Sequence, residues 1–150
     1  MNRPISIGSR RNVLARIMGA VLLLVGGRLA IAERSGDAYG GERRWYEAAS
    51  AMKRLAESWG DQPYGAVLVA DAAIIGEGPS RVVKLGDPSA HAEQEAIRDA
   101  QRRLGRTDLA GSVLYSTSRP CRRCETAAAV AGVSRMIYGE ELRDAGPPRP

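Results

Sequence analysis

The chain contains one histidine and two cysteines, and all three fall in two short clusters, His91-Ala92-Glu93 and Pro120-Cys121-Arg122-Arg123-Cys124. One imidazole and two thiolates make three ligands for a zinc ion and leave its fourth position open, the arrangement of a catalytic site rather than a closed structural one. Any fold that uses them together has to bring residues 91–93 against residues 120–124. Residues two apart on a helix point roughly 200° away from each other, so His91 and Glu93 cannot share a target from a helix interior. They can from its first turn, and Asp87-Pro88-Ser89 just upstream supplies a stop and a cap. Cys121 and Cys124, three apart, share one face of a helical turn, with Pro120 where a missing N–H costs nothing. Two helix N-termini are therefore expected to meet at the metal, and their partial positive charge to lower the thiol pKa values.

A Cys-x-x-Cys pair that opens a helix is also the arrangement of a thioredoxin-like redox site. Such a motif follows the first strand of its fold, whereas here two strands and a helix are expected before it. Glu93 alone would pass for a solvated first-turn carboxylate, but it stands beside the only histidine.

His-x-Glu followed by Pro-Cys-x-x-Cys resembles the zinc-dependent cytidine-deaminase-like superfamily. Three stretches widen the resemblance: Pro63-Tyr64-Gly65-Ala66-Val67-Leu68-Val69, Asp87-Pro88-Ser89-Ala90-His91-Ala92-Glu93, and Leu114-Tyr115-Ser116-Thr117 through Cys124. Over residues 42–140 the chain is similar to the branch that holds guanine deaminases, bacterial cytosine deaminases and tRNA adenosine deaminases. The resemblance implies a zinc ion held by His91, Cys121 and Cys124. It implies that Glu93, not a ligand, carries protons from the attacking water to the ring nitrogen and the departing amine. Backbone N–H groups near Ala92 and Cys121 would orient the intermediate, and Ser80, Ala92 and Pro120 would line the substrate. Two positions depart from the pattern. Ser80, after Pro79, stands where guanine and tRNA adenosine deaminases carry an asparagine that hydrogen-bonds the base, so one hydroxyl replaces a carbonyl and an amide and the identity of the base stays open. Arg119 stands where this branch usually has a glutamate.

Residues 1–32 are expected to stand apart from the domain. Ser9-Arg10-Arg11-Asn12-Val13-Leu14 resembles the twin-arginine export motif, 17–27 is a short apolar region, and Ala30-Ile31-Ala32 fits a small-x-small cleavage site. Cleavage after Ala32 would give a periplasmic or secreted protein; a start codon placed too far upstream, or an uncleaved extension, would give a cytoplasmic one. The charge argument turns on this segment, which holds five arginines and no acid. Taking those five from the 22 basic residues leaves 17, equal to the 17 acids, so the chain's net +5 belongs to the segment that is removed. A neutral domain argues against a nucleic-acid partner, and Arg102-Arg103, Arg106, Arg119 and Arg122-Arg123 form at most a local basic rim. No apolar run is long enough to span a bilayer.

Within 33–41, residues 37–41 read as a linker, after which Trp45, Ala48, Ala49, Met52, Leu55 and Trp59 recur at helical spacing until Gly60. Strands are expected over 66–70 and 73–78, joined by a tight turn at Asp71, and a loop then runs to Pro88. The helix over 90–104 should bury Ala92, Ala96, Ile97 and Ala100. A strand over 112–117, a small-residue helix over 121–131 and a strand over 135–139 complete an α/β alternation. The resemblance makes this a three-layer α/β/α sandwich with a mixed sheet. Residues 141–150 read as a Pro-rich tail, so the fold is expected to be C-terminally shortened, with either a partner over the open edge or an open pocket, and a homodimer is expected. The function implied is hydrolytic deamination of a free nucleobase, nucleoside or nucleotide with release of ammonia. The alternatives are a zinc-binding interaction domain without turnover and a deaminase that edits adenosine in tRNA.

Overall fold

Val67 and Val69 leave strand β1 (Gly65–Ala70) on one face, Ala66 and Leu68 leave it on the other, and all four are buried. A strand with that pattern has to be covered on both sides. The computed structural model describes residues 33–150, and the expected export segment, 1–32, lies outside the described residues. One compact unit spans Ala38–Pro150.

β1 pairs antiparallel with β2 (Ala73–Pro79) through a two-residue turn at Asp71 and Ala72, both with positive φ, the turn geometry that follows strand twist. On its other edge β1 pairs antiparallel with β3 (Val113–Ser116), which runs parallel to β4 (Arg135–Tyr138). β5 (Arg143–Gly146) closes the order β2-β1-β3-β4-β5 as an antiparallel edge. Helix α1 (Glu33–Ser58) covers the face of Val67, Val69, Tyr115 and Ile137 with Trp45, Ala48, Ala49 and Met52. A short α2 (Val82–Leu85) interrupts the loop after β2. Helices α3 (Ala92–Leu104) and α4 (Arg122–Val130) cover the opposite face, where Ala92, Ala96, Ile97, Ala100 and Ala128 pack on Ala66, Leu68, Leu114 and Met136. These are the three expected layers around a mixed sheet.

The position of α3 is set by two glycines of β2. A Cβ on Gly78 would lie 2.0 Å from the Ala92 carbonyl oxygen, and one on Gly76 would lie 2.2 Å from that of Ala96. Only a bare backbone lets the helix sit this close, and the start of α3 is thereby fixed over the end of β2.

Several expectations are corrected. Residues 37–41 are helical, because a helix that exists from Glu42 onward extends upstream at the gain of one hydrogen bond per residue, even through glycine. Leu55 is 38% exposed, and Ala56 takes the buried place. Trp59 packs beneath the Lys84 ammonium, 3.6 Å from its ring, rather than in the core. Residues 143–146 of the expected tail form β5 ahead of Pro147, since Arg135 of β4 pairs with Asp144 across the edge. Ser89 does not cap α3; its N–H and hydroxyl both bond to the Asp87 carboxylate, and His91 takes the cap position.

Candidate metal centre and active site

α3 and α4 begin side by side. His91 and Cys121 are their N-caps, both extended, with ψ of 152° and 164°, and neither side chain makes a capping hydrogen bond. Each carbonyl makes the first helical bond, from the Glu95 and Glu125 N–H groups at 2.9 Å, so each side chain is held in place yet left without a capping duty. Pro120 lies one residue ahead of the cap, where its missing N–H leaves no orphan.

The His91 Nδ1 atom lies 3.7 Å from Cys121 Sγ and 3.6 Å from Cys124 Sγ, and the two sulfurs are 3.6 Å apart. Tetrahedral zinc with bonds of about 2.3 Å to sulfur and about 2.0–2.1 Å to nitrogen requires roughly 3.8 Å between sulfurs and roughly 3.6 Å from sulfur to nitrogen. The triangle fits the ion. It is also the only group of three such side chains close enough to hold a metal among the described residues. Both cysteines are free, with sulfurs well beyond the roughly 2.05 Å of a disulfide bond.

Glu93, the second residue of α3, is 5% exposed and places Oε2 3.5 Å from Cys124 Sγ. Burial pushes its carboxyl pKa above the usual range, against the lowering pull of its own N–H, Cys124 and His91. The Cys124 thiol, expected to be acidified by the helix start, is instead pushed well up, first by burial and then by the neighbouring Glu93 charge and Cys121. Without a metal it therefore holds its proton, and metal binding has to displace it. Gln94 points its amide at the same sulfur from 4.0 Å.

Of the residues expected to meet substrate, Ala92 and Pro120 are buried beside the ligands. Ser80 is fully buried and donates its hydroxyl to Asp61 Oδ1 at 2.9 Å, so toward any ligand its oxygen is left only as an acceptor. Asp61 was not visible as a site residue. Its carboxylate also accepts the N–H groups of Gln62 at 2.7 Å and Lys84 at 2.8 Å, and ties Ser80 to α2. Burial raises its pKa, but these bonds prevail and hold it below 3.8. Gly76 and Gly78 help position the site as well, and two glycines with one residue between them in a strand are a readable sign of close approach. Glu95, buried at 6%, binds Arg98 at 2.8 Å and Arg81 at 3.8 Å, fastening the 80–90 segment to α3.

A family model for the cytidine and deoxycytidylate deaminase zinc-binding region matches residues 41–140. A tRNA-specific adenosine deaminase of Buchnera aphidicola is 35% identical over 100 residues, 67% of this chain and 66% of that protein. A guanine deaminase of Bacillus subtilis is 43% identical over 83 residues, 55% of this chain and 53% of that protein. A solved structure from studies of A-to-I editing by tRNA:A34 deaminases superimposes with a TM-score of 0.62 at 38% identity, covering 64% of this chain and 70% of that one. The chain thus spans about half to two thirds of the length of these curated relatives.

Proposed function

Because the chain belongs to the cytidine and deoxycytidylate deaminase zinc-binding family, we propose that it is a zinc-dependent hydrolytic deaminase of a free nucleobase, nucleoside or nucleotide. The observation that carries this is the triangle of His91 Nδ1, Cys121 Sγ and Cys124 Sγ with the buried Glu93 carboxyl against its edge. His91, Cys121 and Cys124 would hold a zinc ion, which would supply Lewis acidity and an acidified water molecule. Glu93 stands against Cys124 without being one of the three, so its carboxyl would carry one proton of the attacking water to the ring nitrogen and then the second, from the added hydroxyl, to the leaving amine. His91 and Cys121 present the starts of α3 and α4 to the reacting carbon, where N–H groups orient the developing charge. Ammonia and the corresponding oxo compound leave. Ammonia release across bases, nucleosides and nucleotides, by protein carrying one zinc per chain, tests the reading; silence across that panel would leave a zinc-binding interaction domain.

Editing of adenosine in tRNA is the second reading, favoured by the relatives that carry that activity in their names. The small substrate is preferred because basic and acidic residues balance beyond Ala32 and only Lys53 and Lys84 are lysines. Gripping a polynucleotide takes several cationic contacts and binding that falls steeply with salt. Export through the twin-arginine route, with a mature chain from Glu33 in the periplasm, belongs to the same proposal, supported by Arg10-Arg11 and Ala30-Ile31-Ala32. Changing both arginines to lysine should stop processing. A homodimer is also proposed, and light scattering of the purified protein tests it.

A further inference from the structure

Cys121 and Cys124 meet different surroundings. Cys121 is exposed, whereas Cys124 is fully buried. A thiolate that holds a metal keeps charge and lone pairs on its sulfur, and water can meet them at Cys121 but not at Cys124, so the buried sulfur needs a donor from the protein. Its nearest neighbours do not supply one. Glu93 Oε2 at 3.5 Å accepts from the thiol, Cys121 Sγ at 3.6 Å becomes a second anion when a metal binds, and His91 Nδ1 at 3.6 Å is a fellow ligand. Among the described residues, the one further group that hydrogen-bonds to either sulfur is the side-chain amide of Gln94, whose Nε2 lies 4.0 Å from Cys124 Sγ.

The two helix starts produce this contact. Gln94 is the third residue of α3 and Cys124 the third of α4, so helices that begin side by side carry the two at the same depth. Side chains in a first turn lean back toward the helix start, here toward the metal ligands. Gln94 is half-buried, and its Nε2 makes no other hydrogen bond among the described residues. The amide is thus free to close in from 4.0 Å once the sulfur carries charge, because donors sit closer to anions than to neutral acceptors.

From this contact we infer that Gln94 is a positioning residue of the metal centre: its amide donates to the Cys124 thiolate, holds that sulfur at its corner of the ligand triangle, and offsets the cost of keeping its charge away from water. Gln94 acts through Cys124 rather than on the metal. This role rests on the zinc site of the deaminase reading and adds a residue to it. By drawing charge from the sulfur, the same hydrogen bond leaves a bound zinc the stronger Lewis acid.

The zinc affinity of the full chain, measured by competition with a chromophoric chelator, tests this without requiring turnover. Outer donors to metal ligands are worth about 10–100-fold in metal affinity, so Q94L should weaken zinc binding by a factor in that range. Q94E separates this role from a merely structural one. A glutamate in the first turn suits a helix start, so α3 should be at least as stable, yet an ionised carboxylate has no hydrogen to donate and sets a charge beside the thiolate. Its zinc affinity should therefore fall below that of Q94L. Q101L, which removes an amide of α3 that serves the Thr107 carbonyl instead of a sulfur, should bind zinc as the parent does. In cobalt-loaded protein the sulfur-to-metal charge-transfer band should move to longer wavelength in Q94L, since a sulfur without its donor yields its electrons more readily. Parental zinc affinity in Q94L and Q94E, or a band that does not move, would overturn the role. A parent chain that binds no zinc would overturn it together with the deaminase reading, whereas zinc binding without ammonia from any base, nucleoside or nucleotide would sink that reading alone.

Discussion

Gly78→Ala puts the seating of α3 under direct strain. The added Cβ would lie 2.0 Å from the Ala92 carbonyl oxygen and 2.4 Å from the Ala96 nitrogen, both backbone atoms that cannot swing aside. Real contacts of this kind stay beyond 3.0 Å, so the N-terminal turn of α3 must retreat from β2 by about 1 Å. His91 and Glu93 move with that turn, whereas Cys121 and Cys124 sit on α4. A zinc site tolerates only about 0.2 Å in its ligand distances, so the triangle opens by several times its tolerance. Overpacking of this kind also destabilises by about 1–3 kcal/mol. The variant should be folded by circular dichroism, melt at lower temperature and hold well under one zinc per chain by elemental analysis. Full zinc content with stability within about 0.5 kcal/mol of the parent would refute the claim that this backbone contact positions the metal ligands.

Glu93→Gln should keep the zinc and the fold while lowering kcat by at least about 10²-fold, and loss of the metal would show that Glu93 was misassigned. Asp61→Asn should destabilise by about 1–3 kcal/mol near neutrality, because an amide cannot accept the three bonds from Ser80, Gln62 and Lys84. Asp61 has a folded pKa below 3.8. Its stabilisation is therefore complete above that value and lost as pH falls through the lower folded value, so unfolding followed from pH 5 to 2 should be less acid-sensitive in D61N than in the parent. Ala72→Gly should stabilise by about 0.5–1 kcal/mol, since Ala72 at φ 57° pays the left-handed penalty that glycine escapes; an unchanged or lower melting temperature would contradict it.

The metal ligands were legible because nothing else in the chain competes for the role: one histidine and two cysteines, at spacings that work only from helix starts. A sheet covered on both faces was legible from strands alternating with helices, and the resemblance made it a three-layer sandwich. What escaped was set by tertiary contact. Trp45 and Met52 face the sheet at the expected spacing, yet the last turn of α1 rotates Leu55 outward and Ala56 inward. Ser80 reads as a free hydroxyl until Asp61, nineteen residues away, is seen to accept its hydrogen bond. The thiol of Cys124 is pushed up first by its burial and then by the Glu93 carboxyl beside it, neither of which the helix start reveals. β5 escaped because its four residues carry no apolar alternation and are held by the pairing of Arg135 with Asp144.

The central claim, that His91, Cys121 and Cys124 hold a catalytic zinc with one position open, is tested most directly by X-ray absorption at the zinc edge of the purified protein. About one zinc per chain is expected, with two sulfur neighbours at about 2.3 Å, one nitrogen at about 2.0–2.1 Å and a fourth light atom from solvent. Protein without zinc whose Cys121 and Cys124 form a reversible disulfide would contradict it, as would a closed site with a fourth ligand from the chain.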